Sequence, residues 1–281
     1  MNGAEVRRLS RLVFLGTGTS QGVPIIGCSC AVCSSTDRRD HRLRTSVAME
    51  GKGTRVVVDT GPDFRAQMLR EGVTSLDGVV YTHEHKDHLA GMDDVRPFNY
   101  LQKRAMTLHA SESVEVALRR DFHYAFDENK HGGVPDVHIA RVHDFERFEL
   151  GGLEWEPLPI FHGSLAIHGY RVEDLAYITD ANAIPDRSLE RLQGLEVLVL
   201  NALRPEPHYT HFSLPEALEV AALVGAKHTY LTHISHLMGR HEEVENNLPD
   251  GVSLAYDGLV LERTAEGWCE RQSPWVQTTL R

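Results

Sequence analysis

The amino-acid sequence predicts an α/β fold, which some classification schemes would assign to α+β. Short runs rich in β-branched residues alternate with helical stretches in two successive sets along the 281 residues. Polar side chains of the kinds that bind metal ions follow several of these runs directly, and open α/β folds bind their ligands at the carboxyl ends of strands. Because no repeat, low-complexity tract or linker interrupts the pattern, we expect residues 1–281 to form a single domain.

The first half of the chain contains three apolar runs that predict buried strands, at residues 12–15, 55–59 and 76–82. The third run ends directly before His83. Residues 100–150 are the least regular part, with a helix predicted at 112–122 and a loop at 127–135. We expect this variable segment to cover the active site or to contact another subunit.

The second half of the chain is punctuated by turn and capping signals. Gly151-Gly152 predicts a hairpin, and Ser213 with Glu216 predicts a capping box that begins a helix ending at Gly225. The other predicted elements are strands at 145–150, 153–158, 168–172, 175–179, 197–200, 229–232, 252–255 and 259–262, and helices at 186–193 and 242–247. Two of these strands lead directly into Asp180 and His233, so the expected sheet carries metal-binding residue types at its edge.

Composition and charge argue against several classes of protein. The formal net charge is −11, whereas a nucleic-acid-binding surface is normally basic, and the basic clusters at Arg38-Arg39 and Arg119-Arg120 are short enough to be solvated faces. No apolar run reaches the about 18 residues of a membrane helix. The apolar stretch at 12–15 is also too short for a signal peptide. We therefore expect a cytoplasmic protein that binds neither a membrane nor a nucleic acid.

The segment His83-Glu84-His85-Lys86-Asp87-His88 places three imidazoles and one carboxylate within six residues. Imidazole nitrogen and carboxylate oxygen are ligands for zinc, manganese or iron. His83 and His85 alternate and can point to one ion, while Asp87 and His88 can turn toward a second. An ordinary polar surface turn rarely combines ligand types at this spacing, so the segment predicts a metal site between a strand and a helix.

Three of the four cysteines, Cys28, Cys30 and Cys33, lie within six residues of the chain. In a reducing compartment this spacing indicates a metal site rather than disulfides, with a set of free thiols as the alternative. A structural zinc needs four ligands in a closed tetrahedron. Cys269 is a poor fourth ligand, because we expect it in a tail after the last strand.

The HxHxDH pattern at residues 83–88 resembles the signature of the metallo-β-lactamase superfamily. The resemblance implies a four-layer αββα sandwich with two catalytic metal ions and a hydroxide that bridges them. It also implies further ligands at His162, Asp180 and His233. The implied ligands are His83, His85, His162 and Asp180 for one ion, and Asp87, His88, Asp180 and His233 for the other. Asp59 either orients a ligand histidine or only begins a turn.

Within that superfamily the chain resembles the cyclic phosphodiesterases typified by the phosphoribosyl cyclic phosphate phosphodiesterase. In that subgroup a CxCxxC segment and the second histidine of a THxxH stretch hold a structural zinc. The matching residues here are Cys28, Cys30, Cys33 and His236. The resemblance further implies that His211 protonates the leaving group, with His208 as its competitor, and Asp87 is also expected to be catalytic.

These residues predict a phosphodiesterase that hydrolyses a small cyclic or nucleotide-like phosphate. Its cofactors would be two divalent catalytic metals (zinc or manganese, with iron as a further option) and one structural zinc. One alternative is an endoribonuclease that processes tRNA 3′ ends, which would need a basic arm that we do not find in the sequence. Another is a non-hydrolytic relative from pyrroloquinoline quinone synthesis, a group that has lost the HxHxDH ligands. The sequence does not identify the substrate, and it leaves a homodimer open.

Overall fold

The computed structural model describes residues 8–51, 53–129 and 132–272. Within these residues the chain forms fifteen strands and seven α-helices. The strands are β1 (Arg11–Gly16), β2 (Ser46–Gly51), β3 (Thr54–Val58), β4 (Gly78–Val80), β5 (Met106–Ala110), β6 (Val137–Arg141), β7 (Phe148–Leu150), β8 (Leu153–His162), β9 (Leu165–Val172), β10 (Leu175–Ile178), β11 (Val197–Asn201), β12 (His228–Thr232), β13 (Val252–Leu254), β14 (Leu259–Thr264) and β15 (Gly267–Gln272). The helices are α1 (Phe64–Arg70), α2 (Lys86–Leu89), α3 (Arg96–Gln102), α4 (Glu112–Asp121), α5 (Asp186–Arg191), α6 (Leu214–Val224) and α7 (His241–Glu245).

Two mixed sheets pack face to face, with helices on both outer sides. Among the described residues, the first sheet has eight strands in the order β15-β14-β1-β2-β3-β4-β5-β6, and the second has seven in the order β13-β12-β11-β10-β9-β8-β7. Strands β10 to β13 run parallel to one another, so their carboxyl ends meet at one edge. This architecture is a four-layer αββα sandwich and confirms the predicted fold class.

Each boundary between layers has its own hydrophobic core, because successive side chains of a strand point to opposite faces. In β3, Val56 and Val58 face the second sheet and pack in the same core as Trp155 and Tyr170. Val57 points the other way, into the core between the first sheet and its helices. A third core lies between the second sheet and its helices. Both sheets are therefore buried on both faces, and the site residues project from their edge.

The hairpin of β8 and β9 extends beyond the predicted strands. The sequence pattern predicts a strand only at 153–158, whereas β8 continues to His162 and pairs with β9 around a turn at Gly163, which has φ +63°. Pro157 and Pro159 interrupt the pattern because proline has no backbone N–H for the ladder. The extension matters for the site, since it places His162 at the end of a strand.

The expectation that Cys269 lies in a tail is wrong. The chain turns after β14 and returns as β15, in which Cys269 pairs with Glu262. β15 is the outer strand of the first sheet, where charged residues such as Glu270 and Arg271 are tolerated. Because of these charged residues, the sequence pattern did not predict a strand at this position.

Residues 100–150 are more regular than the sequence suggested. β5, α4 and β6 extend the first sheet to its edge. α4 flanks the HxHxDH turn, because the Ser113 hydroxyl donates to Glu84 Oε2 at 3.1 Å and Asp121 pairs with Lys86. The predicted loop at 127–135 includes residues 130 and 131, which lie outside the described residues. That this segment covers the active site therefore stays a prediction.

None of the helices described in the structure could cross a membrane. The longest of them, α6, has 11 residues. A membrane-spanning helix needs about 20 predominantly apolar residues.

Candidate active site and metal centres

The turn that follows β4 is fixed by close backbone packing against the loop between β3 and α1. A Cβ at Gly61 would lie 2.1 Å from the carbonyl oxygen of Asp87, and a Cβ at Gly91 would lie 2.2 Å from that of Gly61. Only glycine fits at these two positions. The Thr60 amide also donates to the His88 carbonyl oxygen at 2.7 Å. The backbone of the HxHxDH segment therefore has little freedom to move.

Two groups of potential ligand atoms meet at the edge where the strands end. The first group contains His83 and His85 from the turn and His162 from the end of β8. His83 Nε2 lies 3.1 Å from His85 Nδ1, and the His162 ring centroid lies 5.5 Å and 5.1 Å from those of His83 and His85. The ligand atoms all lie within 4.8 Å of one another. One ion could contact all three, since zinc–nitrogen bonds are about 2.0–2.1 Å long.

The second group contains Asp87, His88, Asp180 and His233. His88 Nε2 lies 3.1 Å from Asp87 Oδ2 and 3.4 Å from Asp180 Oδ1. His233 Nε2 lies 3.1 Å from Asp180 Oδ2. The same oxygen of Asp180 is 4.0 Å from His83 Nε2 of the first group. The Asp180 carboxylate therefore lies close to both groups.

The buried ring nitrogens of the second group fit a metal ion. The Nε2 atoms of His88 and His233 have no hydrogen-bond partner among the described residues, although carboxylate oxygens lie 3.1 Å from each. The nitrogens and oxygens therefore lie around a common point without forming hydrogen bonds of good geometry. A buried polar atom without a partner costs about 1–3 kcal/mol, and a cation at the common point would offset that cost.

Asp59 orients His88 directly and His83 through Thr82. Its Oδ2 accepts hydrogen bonds from His88 Nδ1 and from the Thr82 hydroxyl, both at 2.8 Å. Thr82 Oγ1 in turn lies 3.0 Å from His83 Nδ1. Both imidazoles therefore use Nδ1 for hydrogen bonds and direct Nε2 into the site. Of the two roles that the sequence allowed for Asp59, these contacts favour the orienting one.

The backbone at the site adopts conformations that are rare outside glycine. Asp59, Asp180 and His233 have φ values of +65°, +61° and +56°. Such conformations cost of order 1–3 kcal/mol each and are concentrated at functional sites. The turn after Asp180 is held by Asn201, which accepts from the Ala181 amide at 2.7 Å and donates to its carbonyl oxygen at 2.9 Å.

Burial and the neighbouring carboxylates shift the pKa values of the site in opposite directions. Burial lowers the pKa of His83 well below its ordinary value. Burial would also lower the pKa values of His88 and His233, but Asp180 and Asp87 raise them, that of His233 to about 9. Burial would raise the pKa of Asp180, yet His233 and His88 hold it well below its ordinary value. Protons on these histidines can thus balance the carboxylates, and a bound metal ion would displace them.

His211 lies between His208 and the second group. Its Nε2 is 3.3 Å from Asp180 Oδ2, and its ring stacks on that of His233 with centroids 4.8 Å apart. Its Nδ1 lies 3.2 Å from His208 Nδ1. Burial lowers the pKa of His211 to about 4. Of the two histidines that compete as proton donor, His211 is therefore the one that contacts the Asp180 carboxylate.

Sequence reasoning missed Thr210, which joins this loop to the first group. Its carbonyl oxygen accepts from His162 Nδ1 at 2.8 Å, so the Nε2 of His162 is directed into the site. Its hydroxyl lies 2.9 Å from His211 Nδ1 and 3.2 Å from His208 Nδ1. The signal for this in the sequence is weak, namely that Thr210 lies between His208 and His211 in the chain.

A separate group contains Cys28, Cys30, Cys33 and His236. The three sulfur atoms lie 3.4, 3.4 and 3.6 Å from His236 Nδ1. Hydrogen bonds from the Cys33 amide and from His236 lower the pKa of Cys30 to about 6, whereas burial raises that of Cys33 to about 11. Three sulfur ligands and one nitrogen around a single point match the composition of a structural zinc site.

A family model matches more than half of the chain. The model, described as a beta-lactamase superfamily domain, matches residues 54–234. The matched range contains the HxHxDH segment together with His162, Asp180 and His233.

Similar proteins carry several different names. A solved structure described as a new diphosphatase from the PhnP family is 46% identical, covers 95% of this chain and 99% of its own, and has a TM-score of 0.85. Coenzyme PQQ synthesis protein B of Methylobacterium radiotolerans is 30% identical over 222 residues, which are 68% of this chain and 72% of that protein. Octanoyltransferase of Porphyromonas gingivalis is 38% identical over 251 residues, or 89% of this chain. The chain spans 51% of the length of that transferase.

Proposed function

The chain belongs to the metallo-β-lactamase superfamily of hydrolases, and on that premise we propose that it is a dinuclear, metal-dependent phosphodiesterase. Its proposed substrate is a small cyclic or nucleotide-like phosphate. The observation that carries the proposal is the position of Asp180, which contacts His88, His233 and His83, while His211 lies 3.3 Å from its carboxylate. A bridging carboxylate with a proton donor beside it suits diester cleavage, in which one oxygen attacks and another must leave.

Two divalent ions would be held by the two groups of ligands. The proposed ligands are His83, His85 and His162 for one ion, Asp87, His88 and His233 for the other, and Asp180 for both. Zinc and manganese accept such ligands, and so does iron. When bound, the ions would act as Lewis acids toward the phosphoryl oxygens and lower the pKa of a water molecule from 15.7 toward about 7.

The protein's own residues would have separate tasks in the reaction. Asp59 keeps the Nε2 atoms of His83 and His88 directed into the site. Burial would raise the pKa of Asp87, but His88 and His233 hold it well below its ordinary value, so its carboxylate stays ionised and would bind its ion and accept a hydrogen bond from the attacking water. His211 Nε2 would donate a proton to the departing oxygen. A bound phosphodiester is an anion and would favour the protonated ring, whose pKa burial otherwise lowers to about 4.

Other activities fit the chain less well. Cleavage of a precursor tRNA would bring a polyanion to a protein whose formal net charge is −11. The acyl transfer named for the P. gingivalis relative belongs to a protein of which this chain spans 51%. A screen of cyclic nucleotides, ribose cyclic phosphates and a precursor tRNA separates the candidates. Preferential cleavage of the tRNA would favour the endoribonuclease instead.

Removal of metal should abolish hydrolysis. We expect the purified protein to hydrolyse bis(4-nitrophenyl) phosphate, and a chelator to lower its turnover by at least roughly 10³-fold. Mn²⁺ or Zn²⁺ added to the stripped protein should restore turnover, and circular dichroism checks that the stripped protein stays folded. Undiminished hydrolysis by the metal-free protein would overturn the proposal.

We further propose that Cys28, Cys30, Cys33 and His236 hold a structural zinc. The segment around them has a small core of its own, with Val23 and Val32 packed beside Cys33. Cys30→Ser should therefore remove one metal ion per chain and lower Tm by roughly 10 °C.

Cys269→Ser is the matched control for this prediction, because Cys269 lies on β15 and is outside the four-residue group. Its metal content and Tm should equal those of the unmodified protein. An unchanged metal count in Cys30→Ser would contradict the zinc assignment.

A further inference from the structure

The loop between β11 and α6 is held in one conformation by hydrogen bonds along its length. The Leu214 amide donates to the Arg204 carbonyl oxygen at 2.8 Å and closes the two ends. The Arg204 guanidinium donates to the Pro207 carbonyl oxygen at 3.0 Å, and Asn182 Nδ2 donates to that of Tyr209 at 3.3 Å. A loop fixed in this way presents its side chains to a ligand without a large ordering cost.

Tyr209 is the most exposed large aromatic side chain in the described part of the chain, at 83%. A single exposed aromatic residue is ordinary on a protein surface. Tyr209, however, lies beside the candidate site. Its ring packs against that of His208, with centroids 4.7 Å apart and planes inclined by 32°. The His208 ring in turn lies 5.1 Å from that of His211. The His208 ring thus connects the exposed ring of Tyr209 with that of His211, the proposed proton donor.

We propose that Tyr209 is a stacking platform for a flat aromatic group of the substrate, and that the enzyme therefore prefers phosphodiesters of the nucleoside type. This inference rests on the proposed phosphodiesterase function. The ester oxygen that His211 would protonate would lie on the His211 side of the phosphate, and the group attached to that oxygen would extend toward the rings of His208 and Tyr209. Stacking of a base on an aromatic ring needs no pattern of hydrogen bonds, so it suits a ring that is open to solvent.

Two ligands that differ only by a base test the inference. Adenosine 5′-monophosphate and ribose 5-phosphate are titrated into the metal-loaded protein by isothermal calorimetry. We expect the nucleotide to bind more tightly, and Tyr209→Ala to raise its Kd roughly tenfold while changing that of ribose 5-phosphate less than about twofold. Tyr209→Phe keeps the ring and should retain the affinity of the unmodified protein.

Leu223→Ala is the control, because Leu223 is also exposed, at 62%, but lies near the end of α6 that is farther from this loop. It should leave both Kd values unchanged. The inference is overturned if neither ligand binds, if the base adds no affinity, or if Tyr209→Ala weakens both ligands equally. Hydrolysis of bis(4-nitrophenyl) phosphate is measured separately, so a protein that lacks diesterase activity is distinguished from one that lacks base stacking.

Discussion

Asp180→Asn is expected to remove at least one catalytic metal ion and to lower the hydrolysis of bis(4-nitrophenyl) phosphate by at least roughly 10³-fold. The Asp180 carboxylate lies within 3.4 Å of ring nitrogens of His88, His233 and His211. Asparagine has nearly the same shape but carries no charge, so it cannot balance two divalent ions. The NH₂ group of asparagine would also point hydrogen-bond donors at the neighbouring ring nitrogens, which need an acceptor or a metal ion there.

The fold should survive this substitution. Asp180 has φ +61°, and asparagine tolerates the left-handed region better than most residues. Asp144→Asn is the matched control, because its side chain is 65% exposed and pairs with His168 outside both ligand groups. Metal content is measured by inductively coupled plasma mass spectrometry, beside turnover and Tm. Normal metal content together with normal turnover in Asp180→Asn would show that Asp180 is not a ligand shared by two metal ions.

His211→Ala is expected to slow cleavage without removing metal, and the loss should depend on the leaving group. A ribose 2′,3′-cyclic phosphate releases an alkoxide, which needs a proton, so turnover of 2′,3′-cyclic AMP should fall by roughly 10²–10⁴-fold. 4-Nitrophenolate is stable as an anion, so turnover of bis(4-nitrophenyl) phosphate should fall less than about tenfold. The two kcat values and the metal content are measured for the same preparation.

His208→Ala is the control for proton donation, since His208 is the neighbour with which His211 competes. Its effect on 2′,3′-cyclic AMP should be the smaller one, because His208 contacts His211 rather than the carboxylate of Asp180. His211, His162 and Asp180 could also hold an ion themselves. An equal loss on both substrates, accompanied by loss of metal, would make His211 a ligand and not a proton donor.

The fold was predictable where its signals are local. The hairpin at Gly151-Gly152 and the capping box of Ser213 depend on neighbouring residues, and both are present as predicted. β15 and the second half of β8 were not predictable, because an edge strand tolerates charges and prolines interrupt the alternation of β8. The cytoplasmic location, the single domain and the oligomeric state stay predictions.

The candidate ligands were identifiable because their residue types recur at fixed spacing and at the ends of strands. In the structure they lie in two neighbouring groups, with Asp180 in the second group and 4.0 Å from His83 Nε2 of the first. The residues that orient them had no comparable signal. Thr82 and Thr210 act through contacts with His83, Asp59 and His162 that only the tertiary fold creates. That the assembled groups bind metal stays a prediction.

Anomalous diffraction at the zinc and manganese absorption edges, from crystals of protein purified without chelator, tests the central claim that Asp180 joins two metal ions. We predict two anomalous peaks about 3.5–4 Å apart, one among His83, His85 and His162 and the other among Asp87, His88 and His233, with Asp180 between them. A third peak should lie among Cys28, Cys30, Cys33 and His236. Empty catalytic groups, or a single ion held by His162, Asp180 and His211, would contradict the dinuclear site.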